Sequence, residues 1–404
     1  MINVKYLILG AGPSGLTFAH MLKKRGETSF LIVEKENEVG GLCRSAIVDE
    51  APLDIGGGHF LDVRRPAVDE FLFEFMPKDE WNLFIRDSRI NINGTMVSHP
   101  LEANIWQFEP KLQSEYLESV KAAGCNQNQP MPEKFVDWIR WKLGDKIAED
   151  YMLPYNTKMF ANELNDLGTY WLEKLPNVNF EDTLKSCREH HAYGSQPGHA
   201  SFYYPKKYGY GEVWLRMGEA LKDNLKTGLS LVSVNITERV ATLSDSSVIK
   251  ADRIVTTIPW NSFEITGAFP EDISDSISKL KSSSIEIRYR KDKSDTSAQW
   301  IYEPDMSKPY HRILVRSNFA SPSRGFWLET RKERCDMYPK DDDSFRYMNE
   351  YAYPLNTVDK PLIMKHLLEA ASSCNMFGLG RWGEHSHYNS DLVVAMAMDL
   401  ATKI

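Results

Sequence analysis

Residues 4–9, VKYLIL, form a nearly unbroken apolar, β-prone run, the pattern of a strand buried on both faces of a parallel sheet. A glycine-rich turn follows. LTFAHMLKKRG then sets Leu16, Ala19 and Leu22 on one face of a helix that Gly26 ends. SFLIVEK is the second strand and closes on Glu34. From 65 to 225 the period changes. PAVDEFLFEFM and PEKFVDWIRWKLGDKIAEDYMLPY repeat apolar residues at helical spacing, and residues 122–133, AAGCNQNQPMPE, are a polar loop between them. Residues 229–260 predict a hairpin and then a buried strand. Between 285 and 355 the short runs SIEIRYR, AQWIYE, HRILVRSNF and GFWLETR alternate as strands of an antiparallel sheet do. LVVAMAMDLA, near the end, predicts a last helix.

A chain of 404 residues exceeds one small core, so two or three domains are expected. The net charge of −8 excludes a global basic field for nucleic acid, and an anionic ligand must be met by local arginines. The five cysteines are odd in number and scattered, which predicts a reduced, cytoplasmic setting. No apolar run reaches the ~18 residues of a membrane span. The first strand begins at once, so no cleavable leader is expected.

The turn GAGPSG carries the first chemistry. Gly10 permits a tight turn, Gly12 lets backbone N–H groups approach a pyrophosphate, and Gly15 lets the helix pack on the strand. The helix N-terminus at Pro13 and Ser14 favours the anion, and Glu34, with Lys35 beside it, accepts from a ribose. EVGGLCRS then supplies Gly41, Leu42 and Arg44, and LDIGGGHFL supplies Gly57, Gly58 and His59. Three glycine-rich turns in succession predict a long dinucleotide held by backbone in several places.

These turns resemble the FAD superfamily of amine oxidases, protoporphyrinogen oxidase and phytoene desaturase. In that superfamily the segment around Val234 contacts the adenine side. Several further segments are similar to the narrower family of nucleotide-sugar mutases typified by UDP-galactopyranose mutase. The PY-x-x-K-x-aromatic motif falls on Pro154, Tyr155, Lys158 and Phe160. FYYPKKYGYGEVW, HRILVRSNF and YAYPLNT match three more segments, and GRWGEHSHYNSD matches the C-terminal G-R-x-G-x-Y-x-Y-x-N/D-x-D. The matches run in order from about residue 3 to about residue 400.

The resemblance implies an α/β fold: a discontinuous Rossmann-like FAD-binding domain (1–95, 226–265 and 365–404), a mostly helical substrate and flap domain (96–225) and an antiparallel β-sheet domain (266–364). It implies a cytoplasmic isomerase of cell-surface polysaccharide biosynthesis. The enzyme would interconvert pyranose and furanose forms of a UDP- or dTDP-linked sugar, with reduced flavin N5 attacking the anomeric carbon. A homo-oligomer stays open. His59, Arg312 and Arg381 are the implied catalytic positions. Gly380, Asn389, Asp391 and Leu392 join the FAD set, with Ser390 capping the last helix. Asn104, Tyr155, Phe160, His199, Phe319, Tyr353 and His387 join the two arginines toward substrate.

The chain departs from that pattern in places. His387 and Phe319 stand where the family carries tyrosine, and the flap arginine after WL is replaced at best by Lys174. Two other readings stay open, an FAD oxidase or desaturase and a non-catalytic sugar-nucleotide-binding flavoprotein. The histidines at 190, 191, 199, 385 and 387 lack ligand spacing, so no metal is expected. Trp171, Trp214 and Trp327 read as core, and Arg64 and Arg65 as a solvated helix start.

Overall fold

The computed structural model describes residues 1–160, 162–172, 178–194, 200–320, 322–340 and 344–404. Its first layer is an eight-stranded sheet built on Ile2–Leu9 and Val248–Thr256, which pair in parallel from Ile2 with Ile249 to Leu9 with Thr256. Phe30–Val33 and Leu225–Lys226 extend it on one side. On the other, Val248–Thr256 is flanked first by the hairpin Leu231–Asn235 and Val240–Leu243 and, near its C-terminal end, by Met376–Gly378. The strand alternation sorts the core. Tyr6, Ile8, Phe30 and Ile32 pack on one face, and Leu7, Leu9, Leu31 and Val33 on the other. Helices Pro13–Lys24 and Ser390–Lys403 pack together on the first face, and Lys360–Ser373 covers the second. The last helix therefore returns to the first one.

The second layer is a seven-stranded, mostly antiparallel sheet. Its order is Arg346–Pro354, Ser282–Arg290, Phe326–Arg331, Arg312–Leu314, Trp300–Tyr302, Ser88–Ile92 and Thr95–Ser98. The last two strands correct the expected boundary at 95. Ser88–Ile92 pairs with Trp300–Tyr302, and Ile90, Ile92 and Val97 are buried with the helical layer instead of with the dinucleotide-binding one.

The helical layer holds Pro110–Ala122, Phe135–Leu143, Leu153–Met159 and Phe180–Glu189 around a core of its own. It does not run to 225. Ser201–Pro205 pairs with Leu61–Asp62 and Trp81–Ile85, and helix Gly211–Glu219 packs on Pro13–Lys24, because Phe202, Tyr204, Val213 and Trp214 fill the core beneath the first sheet. Among the described residues no helix is long and apolar enough to cross a membrane, and the five cysteines are free.

Candidate functional site

The first glycine turn is shaped by close approach. Gly10 has φ +99° and donates its N–H to Val33 O at 2.8 Å. A Cβ at Gly15 would stand 2.0 Å from Gly10 O, so only glycine lets the helix sit this near the strand. Gly12 differs. Its added Cβ would meet only Gly41 Cα, at 3.8 Å, because this stretch of backbone forms the wall of a cavity of about 790 Å³. Pro13, Ser14, Glu34, Lys35, Leu42 and Arg44 line the same cavity. Glu34 accepts the backbone N–H groups of Ala11 (2.8 Å) and Glu36 (3.0 Å), so it holds the turn while facing the cavity. Arg44 is fixed by Gly41 O, the Tyr347 hydroxyl and Glu36.

A second cavity of about 520 Å³ lies between the antiparallel sheet and the helical layer. His59, Arg381 and Tyr388 line both, so the two cavities meet there. His59 Nδ1 is 3.0 Å from Gly57 O. A carbonyl only accepts, so Nδ1 carries the proton. Burial, with Arg381 nearby, pushes the imidazole down to about 3, which keeps it neutral and leaves Nε2 as an acceptor. Arg381 donates to Tyr388 O (2.8 and 3.1 Å) and Ala352 O (3.1 Å), and among the described residues it has no carboxylate partner.

Arg312 is held differently. Its Nε donates to Glu329 Oε2 at 2.8 Å and its Nη2 to the Tyr353 hydroxyl oxygen at 3.2 Å. Glu329 Oε1 also accepts the Gly58 N–H at 3.2 Å. Burial pushes the Glu329 carboxyl up, but Arg312 and His311 outweigh it and hold the group down at about 2. Tyr353 stands between the arginines, with Arg381 6.0 Å from its ring centroid and His387 packed on its edge at 4.8 Å. Tyr155 and Phe160 line the same cavity, near a π-helical turn at Ala148–Met152.

Several expected residues stand elsewhere. Val234 is fully buried in the apolar core, and Leu229, Ser230 and Leu231 line the dinucleotide cavity instead. Phe319 lies in the core, stacked on Trp300 at 5.9 Å, because it lacks a hydroxyl to satisfy and fits among aromatic rings. Asn104 closes its own turn, donating to Pro100 O at 2.9 Å and accepting from Gln107. Gly380 has φ +75° and packs on Ser14, where a Cβ would come within 2.0 Å of Oγ. Asn389, not Ser390, is the N-cap of the last helix, and it makes no side-chain cap bond. Ser390 and Val393 face the dinucleotide cavity and Asn389 the second one. Asp391 and Leu392 line neither, and Asp391 is buried against Arg65. Arg65 is thus paired, as is Arg64 with Asp62. His199 and Lys174 lie outside the described residues.

Glu329, Arg86 and Glu102 are among the lining residues that escaped the sequence reading. Glu329 sits in a run that reads only as a strand. Arg86 lies 4.8 Å from the Trp300 ring centroid and donates to the Tyr302 hydroxyl at 2.7 Å. Glu102 lines the wall formed with the helical layer. A charged residue inside a β-prone run was the available signal for Glu329.

The profile of the NAD(P)-binding Rossmann-like domain matches residues 8–75. Two curated relatives match over segments. Probable indole-3-pyruvate monooxygenase YUCCA1 of Arabidopsis thaliana is 26% identical over 36% of this chain and 40% of its own length. The "Uncharacterized protein in nifH2 3'region" of Methanothermococcus thermolithotrophicus is 45% identical over 13% of this chain and 50% of its own. The chain thus spans half or less of these relatives' lengths. Solved structures match throughout. The crystal structure of reduced UDP-galactopyranose mutase is similar with a TM-score of 0.88 at 21% identity, over 99% of this chain and 93% of that one. The CLA-producing fatty acid isomerase from P. acnes gives 0.66 at 15% identity, over 99% and 98%. Putrescine oxidase with bound putrescine gives 0.62 at 15%, over 100% and 99%. These likenesses establish the fold, an α/β Rossmann-like layer joined to helical and antiparallel-sheet layers.

Proposed function

We propose that this chain is an FAD-dependent mutase that interconverts the pyranose and furanose forms of a nucleoside-diphosphate sugar. One observation carries the reading: the dinucleotide cavity opens, at His59, Arg381 and Tyr388, into a second cavity that bears Arg381, an arginine without a carboxylate partner among the described residues. The backbone cradle of Gly12 and Gly41, with Glu34 and Arg44 beside it, fits FAD, and the likeness to reduced UDP-galactopyranose mutase supports that cofactor. Bound and reduced, FAD supplies a nucleophilic nitrogen, N5.

This chain's residues do the rest. Arg381 binds the leaving diphosphate and keeps it near for its return, a charge-assisted hydrogen bond that contributes about 1.5–3 kcal/mol. The Tyr353 oxygen accepts from Arg312, so its own O–H is left to donate to the same diphosphate. Glu329 balances Arg312, which makes Arg312 a positioning residue for Tyr353 more than a second free cation. Neutral His59 offers Nε2 as an acceptor where the cavities meet. An oxidase of cationic amines would set its substrate against the charge of Arg381, which favours the anionic ligand.

The test is anaerobic incubation of the reduced protein with a panel of UDP- and dTDP-pyranoses, followed by chromatography. The expected product is an isomer of unchanged mass. If every pyranose returns unchanged, the reading fails.

A further inference from the structure

Arg86 is a cation of the second cavity that the mechanism above does not use. It follows strand Trp81–Ile85 directly, and its backbone N–H donates to Ala200 O at 2.9 Å. Its guanidinium lies over the Trp300 ring, 4.8 Å from the centroid, with the Phe60 ring at 5.9 Å. Nε donates to Ser88 Oγ and Nη2 to the Tyr302 hydroxyl oxygen, both at 2.7 Å. Those bonds leave both N–H groups of Nη1 and one of Nη2 without a partner among the described residues.

No acid balances this charge among the described residues. Of the carboxyls that line the cavity, Glu329 is taken by Arg312, and Glu102 forms no ion pair with Arg86. Asp87, next in the chain, is held by Arg89. Arg86 also stands apart from the diphosphate position. Arg381 reaches Ala352 and Tyr388, whereas Arg86 reaches Phe60, Trp300 and Tyr302. Phe60 follows His59, the residue at which the two cavities join. A nucleotide sugar with its diphosphate at Arg381 and its sugar at that junction therefore turns the far side of the sugar toward Arg86.

We infer that the sugar is a hexuronate, whose C6 is a carboxylate, and that Arg86 binds this carboxylate through Nη1 and Nη2. The inference rests on the mutase reading and names its substrate class. The planar carboxylate matches the guanidinium fork, and stacking on Trp300 holds the fork in place before the ligand arrives. A neutral sugar in the same position would cover the cation with nothing to balance it, which costs affinity. The chemistry is compatible. C6 lies outside the pyranose and the furanose ring alike, so the ring change makes and breaks no bond to the carboxylate.

The experiment measures binding of UDP, UDP-galactose, UDP-galacturonate, UDP-glucose and UDP-glucuronate to the FAD-loaded protein, as wild type and as Arg86→Met. Product formation by the reduced protein is then followed by chromatography. In wild type at least one uronate should bind about ten- to a hundred-fold more tightly than the matching neutral sugar. In Arg86→Met that preference should shrink to within about three-fold, while affinity for UDP changes by less than about three-fold. A wild type that binds both neutral sugars as tightly as the matching uronates would overturn the inference without any variant. So would a preference that survives in Arg86→Met. A loss of UDP affinity as large as the loss of uronate affinity would overturn it too, by assigning Arg86 to the diphosphate. The mutase reading fails separately. A uronate preference with no isomeric product of unchanged mass would uphold the carboxylate site and remove the mutase step, and no binding of UDP or of any of the four sugars would remove both.

Discussion

Arg312 and Glu329 are register partners on adjacent antiparallel strands, and their side chains meet at 2.8 Å inside the second cavity. The pair sets Arg312 apart from Arg381. Arg312 is half of a balanced ion pair and donates to the Tyr353 hydroxyl, while Arg381, among the described residues, is hydrogen-bonded to backbone carbonyls and has no carboxylate to balance its charge.

That division predicts different outcomes for the two alanine substitutions. Arg381→Ala should weaken UDP or dTDP binding by about ten- to a hundred-fold with little loss of stability. Arg312→Ala should also weaken binding, but it strands a buried carboxylate and should cost about 3–5 kcal/mol of stability. The double variant R312M/E329L, which removes both charges, should recover most of that stability. Binding isotherms and thermal melts of the three proteins check this. Equal stability losses for Arg312→Ala and Arg381→Ala would contradict it.

The same pair sets part of the acid response. Glu329 is held at about 2 in the folded chain against an ordinary value of 4.5. A depressed carboxyl contributes its full stability above the unfolded value and loses it as the pH falls toward the folded one. Wild type should therefore lose stability between about pH 4.5 and about pH 2 more steeply than R312M/E329L does. Thermal melts across that range measure the difference, and parallel curves would show that the pair carries no acid sensitivity.

The glycines of the first turn separate binding from folding. At Gly12 an added Cβ lies at the cavity wall and, among the described residues beyond its chain neighbours, meets only Gly41, so Gly12→Val should fold and fail to take up FAD. Gly15→Ala drives a methyl into Gly10 O and should cost about 1–3 kcal/mol through overpacking. Flavin absorbance per chain and circular dichroism distinguish the two. A yellow Gly12→Val protein would show that the pyrophosphate does not pass there.

Much of this was legible from local pattern. The strand–turn–helix at Gly10, Gly12 and Gly15 needs only neighbours in sequence, and its glycines meet the contacts that their spacing implies. The return of the last helix was legible because GRWGEHSHYNSD resembles one family's ending. What escaped depends on register. HRILVRSNF and GFWLETR each read as a strand, but nothing in either says that Arg312 will stand opposite Glu329. The side chains of Val234 and Phe319 turn into the core for a related reason. A side chain's face is set by the strand pleat and by its aromatic neighbours, and a shift of a few residues moves the lining to Leu231. The expected boundary at 95 cuts through the hairpin Ser88–Ser98 because its partner strand, Trp300–Tyr302, lies some two hundred residues away.

The central claim is catalysis by a reduced flavin with no net redox change. The deciding measurement counts product formed against reductant and oxygen consumed, with the FAD-loaded protein held reduced under nitrogen and supplied with a nucleotide pyranose. The account predicts many product molecules for each electron pair supplied and no activity from the oxidised protein. One electron pair consumed per product would contradict it and identify the chain as an oxidase.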